Sequence, residues 1–109
     1  MDNEILLLKI KQDNKHGLDH SLIRTYPNPF NPKINFSFEI YSPGIVSLNI
    51  FDLSGRKIKT INKSFYQAGT NQVSWNAEDE NGNNVASGAY IFDLAYDQKN
   101  IRGKIVYLK

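Results

Sequence analysis

The seven residues Ile34–Ile40, INFSFEI, alternate between apolar and polar without a break. Ile34, Phe36, Phe38 and Ile40 fall on one side, and Asn35, Ser37 and Glu39 on the other. A period of two fits a strand buried on one face and excludes a helix, whose apolar positions recur at three and four. The same period returns in Val46, Leu48 and Ile50, in Val73 and Trp75, and in Tyr90, Phe92, Leu94 and Tyr96. IRGKIVYL, residues 101–108, closes the chain as a last strand. A further strand is expected from Arg56 towards Tyr66, with a bulge where its pattern breaks. Between these runs lie turn signals: Ser42-Pro43-Gly44, Asp52-Leu53-Ser54-Gly55, Ala68-Gly69, Asn81-Gly82 and Asp97–Asn100. No capped helical window competes, so the chain reads as all-β, with two packed antiparallel sheets.

A length of 109 residues suits one domain. All 13 aromatic residues lie between Tyr26 and Tyr107. The segment 11–20, KQDNKHGLDH, is polar and reads as a linker, and Ile5–Ile10 is a candidate strand at the end of something preceding. This divides the chain into residues 1–20, a linker or end of a preceding segment, and 21–109, a β-sandwich domain. The absence of Cys excludes disulfides, thiol catalysis and Cys-bound zinc. A formal charge of +2 gives no reason to expect nucleic acid as a partner. Its distribution says more: after Asp97 there is no acid, while Lys99, Arg102, Lys104 and Lys109 follow. No apolar run is long enough to span a membrane, and the first residues lack the pattern of a secretory signal.

Catalysis requires a base beside a nucleophile, or a pair of carboxylates in a cleft. The only histidines, His16 and His20, fall in the polar tail, so a Ser-His-Asp arrangement is not expected. Glu78, Asp79 and Glu80 read as a solvated acidic turn. Asp79–Asn84, DENGNN, superficially resembles a calcium loop, but it lacks the bidentate Glu and its Gly is at the wrong offset. Asn81-Gly82 supplies instead the positive φ values of a tight turn. Asp52-x-x-Gly55-Arg56 has a backbone logic of its own: Asp52 accepts amide hydrogens within the turn, Gly55 takes the left-handed conformation, and Arg56 can pair with Asp52 or with a partner's carboxylate. Trp75 is expected to anchor the core rather than stack on sugar. Tyr26-Pro27-Asn28-Pro29-Phe30-Asn31-Pro32 reads as a rigid extended lead-in to the next strand, serving edge protection or protein interaction.

Taken together, YPNPFNP, VSLNIFDLSGRKIKTI, the A-G-T-N turn, the strand holding Trp75, DENGNNVASGAY and the basic end resemble the C-terminal sorting domains of the type IX secretion system. The resemblance runs from about Ser21 to Lys109. It implies a seven-stranded immunoglobulin/fibronectin-III-like β-sandwich without catalytic activity or cofactor, with Pro27, Pro29, Asp52, Gly55, Arg56, Trp75, Gly82, Gly88 and Tyr90 as its structural motif residues. It implies an attached N-terminal cargo, export through the periplasm to the cell surface, recognition by an outer-membrane translocon, and removal by a surface sorting peptidase in or near residues 11–21. Members of that family normally follow a large cargo, so about 20 preceding residues suggest a fragment. From the charge distribution after Asp97, Arg102, Lys104 and Lys109 are the expected recognition residues, with ordinary edge protection by a basic last strand as the alternative. D-x-x-G-R and S-G-x-Y also resemble the sandwich domain of flagellar hook-cap proteins, which makes a spacer or assembly module the alternative. A carbohydrate-binding module is a third reading.

Overall fold

The computed structural model describes residues 23–109. The Ile5–Ile10 strand, the 11–20 linker, both histidines and the proposed cleavage region lie outside the described residues, as do Ser21 and Leu22 at the start of the expected sandwich domain. Seven strands follow: β1 (Ile23–Tyr26), β2 (Ile34–Ile40), β3 (Gly44–Asp52), β4 (Lys57–Tyr66), β5 (Gly69–Trp75), β6 (Gly88–Tyr96) and β7 (Lys99–Tyr107). They form two antiparallel sheets, β1-β2-β5 and β4-β3-β6-β7. This is the expected seven-stranded immunoglobulin-like sandwich.

Alternation places the core as the sequence predicts. Ile34, Phe36, Phe38 and Ile40 from β2 face Val46, Leu48, Ile50, Phe92 and Leu94 from the second sheet, and all are buried. The irregular pattern of β4 has the expected cause, because its pairing with β3 shifts between Leu48 and Asn49 and again between Ile50 and Phe51. β1 has only four residues, too few to display a period, and only Ile23 of them is buried. Its register on β2, Ile23 opposite Phe38, is what defines it.

Two loops differ from expectation. The β6–β7 hairpin has a two-residue turn, Asp97-Gln98, with φ of 52° and 60°, and Lys99 already pairs with Tyr96. Two positive φ values match the right-handed twist of the flanking strands. The lead-in to β2 is not extended. Residues 27–33 run as bends, because Phe30 turns inward to fill the core and is 1% exposed.

The chain enters β1 at the end of the sandwich that carries the Asp97-Gln98 turn and leaves β7 at the other. Ile23 lies across from Phe38 and close to the Ile40–Gly69 pair, whereas Phe30 bridges to Tyr107. We call these the near end and the far end.

One strand position is a glycine for lack of space. Gly103 pairs with Phe92, and a Cβ on it would fall 2.5 Å from the Phe92 ring. Gly103→Ala is therefore expected to cost about 1–3 kcal/mol by forcing a buried ring to move, read as a lower midpoint in urea. An unchanged midpoint would show that the ring has somewhere to go.

Candidate functional site

The motif residues, scattered from 27 to 90 in sequence, converge on the far end. Asp52 pairs with Tyr90, Ile34 with Trp75, and Gly88 with Tyr107. Three loops and the terminal residues of the chain surround this end: the Pro27–Pro32 segment, the Asp52–Arg56 turn and the Asp79–Asn83 turn.

Both turns have the same construction. Asp52 Oδ1 accepts the amide hydrogens of Ser54 at 2.9 Å and Arg56 at 3.0 Å, and the Gly55 amide donates to the Asp52 carbonyl at 3.0 Å. Asp79 Oδ1 accepts from Asn81 at 2.9 Å and Asn83 at 3.0 Å, and the Gly82 amide donates to the Asp79 carbonyl at 3.0 Å. Gly55 and Gly82 sit at φ of 94° and 85°. Gly82 takes the expected positive φ but Asn81 does not, so the tight turn is corrected from Asn81-Gly82 to one that closes from Asp79 to Gly82. DENGN is a second D-x-x-G turn, organised by Asp79. The signal was in the sequence, since Asp52 and Asp79 each precede a glycine by three residues.

The acidic turn is not merely solvated either. Glu78 offers its carbonyl to the Trp75 indole N–H at 2.8 Å, and Glu80 accepts the Thr60 amide at 2.7 Å beside the β3–β4 bulge. Trp75 is 2% exposed and meets Tyr90 edge-on, with ring centroids 5.7 Å apart. Tyr90 donates its hydroxyl to the Ala86 carbonyl at 2.7 Å, the corner by which a tyrosine near the start of such a strand ties back to the preceding chain. Burial raises the Tyr90 phenol above its ordinary value of 10.0, with further contributions from Asp52 and Tyr107.

The proline-rich segment performs the structural service that sequence reasoning only half saw. The Phe30 amide donates to the Val106 carbonyl at 2.9 Å, and the Leu108 amide donates to the Phe30 carbonyl at 3.1 Å. Asn28 Oδ1 accepts the Val106 amide at 3.0 Å, and its Nδ2 donates to the Lys104 carbonyl at 3.4 Å. Asn28 and Phe30 thus close the outer edge of β7 over its last half. Pro27 and Pro29 flank Asn28 and carry no amide hydrogen that would seek a partner there.

Of the expected recognition residues, Arg102 and Lys104 project from the outer face of the four-stranded sheet, and Lys109 lies beyond β7 at the far end. Arg102 Nε lies 3.6 Å from Asp93 Oδ1, which also accepts from Asn100 Nδ2 at 3.0 Å. The Lys109 amide donates to Ser87 Oγ at 3.0 Å. Arg102 lines a shallow depression with Asp52, Leu53 and Gly55 of the first turn, whereas Lys109 is not part of it, so the three cations do not form one cluster. Among the described residues no group of three or more His, Cys, Asp or Glu is placed to hold a metal ion, and no helix is long and apolar enough to cross a membrane.

Asp52 carries a pH signature. Its carboxyl is lowered from 3.8 to about 2, first by the Ser54 hydroxyl at 2.6 Å and then by the Arg56 amide, with smaller help from the Ser54 amide and the Arg56 charge. The folded value lies below the unfolded one, so the ion's contribution is complete above about pH 4 and disappears as pH falls towards 2. Melting temperatures of the parent and Asp52→Asn should differ at pH 6 and converge near pH 2. A difference that stays constant over that range would contradict this assignment.

The family model described as FlgD Ig-like domain matches residues 30–100. No curated protein sequence matches the chain. Among solved structures, dimeric latent PorU from Porphyromonas gingivalis aligns with a TM-score of 0.63 at 15% identity over 79% of this chain and 9% of its own. PorZ of the same organism, described as an essential bacterial surface component of its type-IX secretion system, aligns with a TM-score of 0.61 at 22% identity, over 88% of this chain and 13% of its own. FlgD from Xanthomonas campestris, described through hook capping in flagellar assembly, aligns with a TM-score of 0.56 at 21% identity, over 78% of this chain and 61% of its own. The chain thus spans about a tenth of PorU and PorZ, and likeness at these identities shows a shared fold. With the family model matching residues 30–100, from the Phe30 latch to the start of β7, the chain belongs to the FlgD Ig-like domain family.

Proposed function

We propose that this domain is a non-catalytic sorting module that directs an attached cargo across the outer membrane through a type IX secretion system. In this reading the cargo precedes Ile23, a surface translocon reads the module, and a sorting peptidase cuts it off within or near residues 11–21. The observation that carries the proposal is the opposition of the two ends. A cargo joined upstream of β1 stands at the near end, which leaves the far end and the outer sheet face, with Arg102, Lys104 and Lys109, open to a partner. The fold shared with two Porphyromonas gingivalis proteins, one described as a surface component of that system, supports the same reading. The Asp52, Trp75 and Tyr90 side chains are committed to backbone bonds, which suits a scaffold better than a reaction centre. In this reading the protein acts at the cell surface or outside the cell.

The family match and the fold shared with FlgD favour a second reading, an assembly module of a surface or hook-cap-like structure. The two separate in a reporter assay. Fused behind a periplasm-directed fluorescent protein in a host with the secretion system, the whole chain should bring the reporter to the cell surface. Arg102→Gln with Lys104→Gln should reduce that export while circular dichroism stays unchanged. A reporter that remains periplasmic with the intact chain would overturn the sorting role. Full export by the double variant would remove Arg102 and Lys104 from it.

A further inference from the structure

The outer face of the four-stranded sheet carries one continuous register row in which Lys57 pairs with Phe51, Phe51 with Ile91, and Ile91 with Lys104. The neighbouring residues Ile50, Phe92 and Ile105 are buried, so alternation turns this row outward. Two apolar side chains therefore lie at the centre of a solvent-facing sheet with a lysine at each margin. Leu53, 66% exposed, leans over the row from the Asp52–Arg56 turn. Phe51, Leu53 and Ile91 line an open depression of about 270 Å³ together with Asp52, Gly55 and Arg102. An open, partly apolar depression of this size accommodates an inserted side chain.

The ion pairs around the depression leave positive charge over. Arg56 pairs with Asp52 and Arg102 with Asp93, while Lys57 and Lys104 stand at the two ends of the row outside those pairs. Asp52 is engaged by Ser54 and Arg56, and Asp93 by Asn100 and Arg102. An apolar centre bounded by cations is complementary to an aliphatic side chain bounded by carboxylates. We propose that this face docks an extended segment of a partner protein in which aliphatic residues alternate with Asp or Glu, its aliphatic side chain seated among Phe51, Leu53 and Ile91 and its carboxylates on Lys57 and Lys104. The proposal deepens the recognition role and rests on it for the partner's identity, while the binding itself is measured without export.

The test uses the full chain and a fluorescein-labelled peptide of alternating glutamate and leucine. Binding is expected, with amide shifts in NMR confined to Phe51, Leu53, Ile91, Lys104 and their neighbours. Ile91→Thr and Lys104→Gln, both on the outer face, should each weaken binding about fivefold or more. Phe65→Ser should not, since Phe65 and Ile45 form the other exposed apolar pair of this face, near the opposite end. Equal binding of a glutamate–serine peptide or of a lysine–leucine peptide would overturn the proposal. So would shifts centred on Ile45 and Phe65, or recruitment to anionic lipid vesicles in place of the peptide. Peptide binding that fails while the reporter is still exported overturns the docking face alone. Export that fails while the peptide still binds overturns the sorting role alone.

Discussion

Phe30 is the residue at which both sheets and the last strand meet. Its ring stacks on Tyr107 at 5.1 Å and contacts Trp75 at 5.8 Å, one from each sheet, while its backbone bonds to Val106 and Leu108. An exposed strand edge invites further pairing. On the last half of β7 a loop covers that edge instead of a strand. Asn28 contributes side-chain bonds and Phe30 backbone bonds, and the prolines on either side of Asn28 limit the cover to a short stretch. The large ring makes the cover permanent by burying it in the core.

That latch determines what the rest of the molecule can present. It holds the C-terminal part of β7 and closes the far end beneath two D-x-x-G turns of equal geometry, in which an Asp carboxylate replaces the partners a loop would otherwise lack. The core then needs no further help from the outer face of β4-β3-β6-β7. This explains how that face can carry Phe51 and Ile91 between lysines without loss of the fold.

The strands were legible because burial on one face writes a period of two into the sequence; β2 shows it without error, whereas β3 and β6 show it in their inward residues and carry Ile45, Phe51 and Ile91 as apolar exceptions on the outer face. β1 was not, since four residues hold one buried position. The latch was visible as an unusual string of prolines, but its partner lies 76 residues away and no local pattern names it. The second D-x-x-G turn was hidden behind Asn81-Gly82, a stronger local signal for a different turn. Gly103 is explained only by the ring across from it. The basic residues of β7 were evident from composition, whereas the apolar pair beside them belongs to two other strands and becomes a surface only in the register of the sheet.

Amide hydrogen exchange of Val106 and Leu108 tests the latch most directly. In the parent, both amides should be protected comparably to those of Phe92 and Leu94 at the centre of β6. In Phe30→Ala, protection at Val106 and Leu108 should fall much further than at Phe92 and Leu94, as the edge opens before the sandwich does. Rapid exchange of the two amides in the parent, or equal loss at all four positions in the variant, would contradict the account.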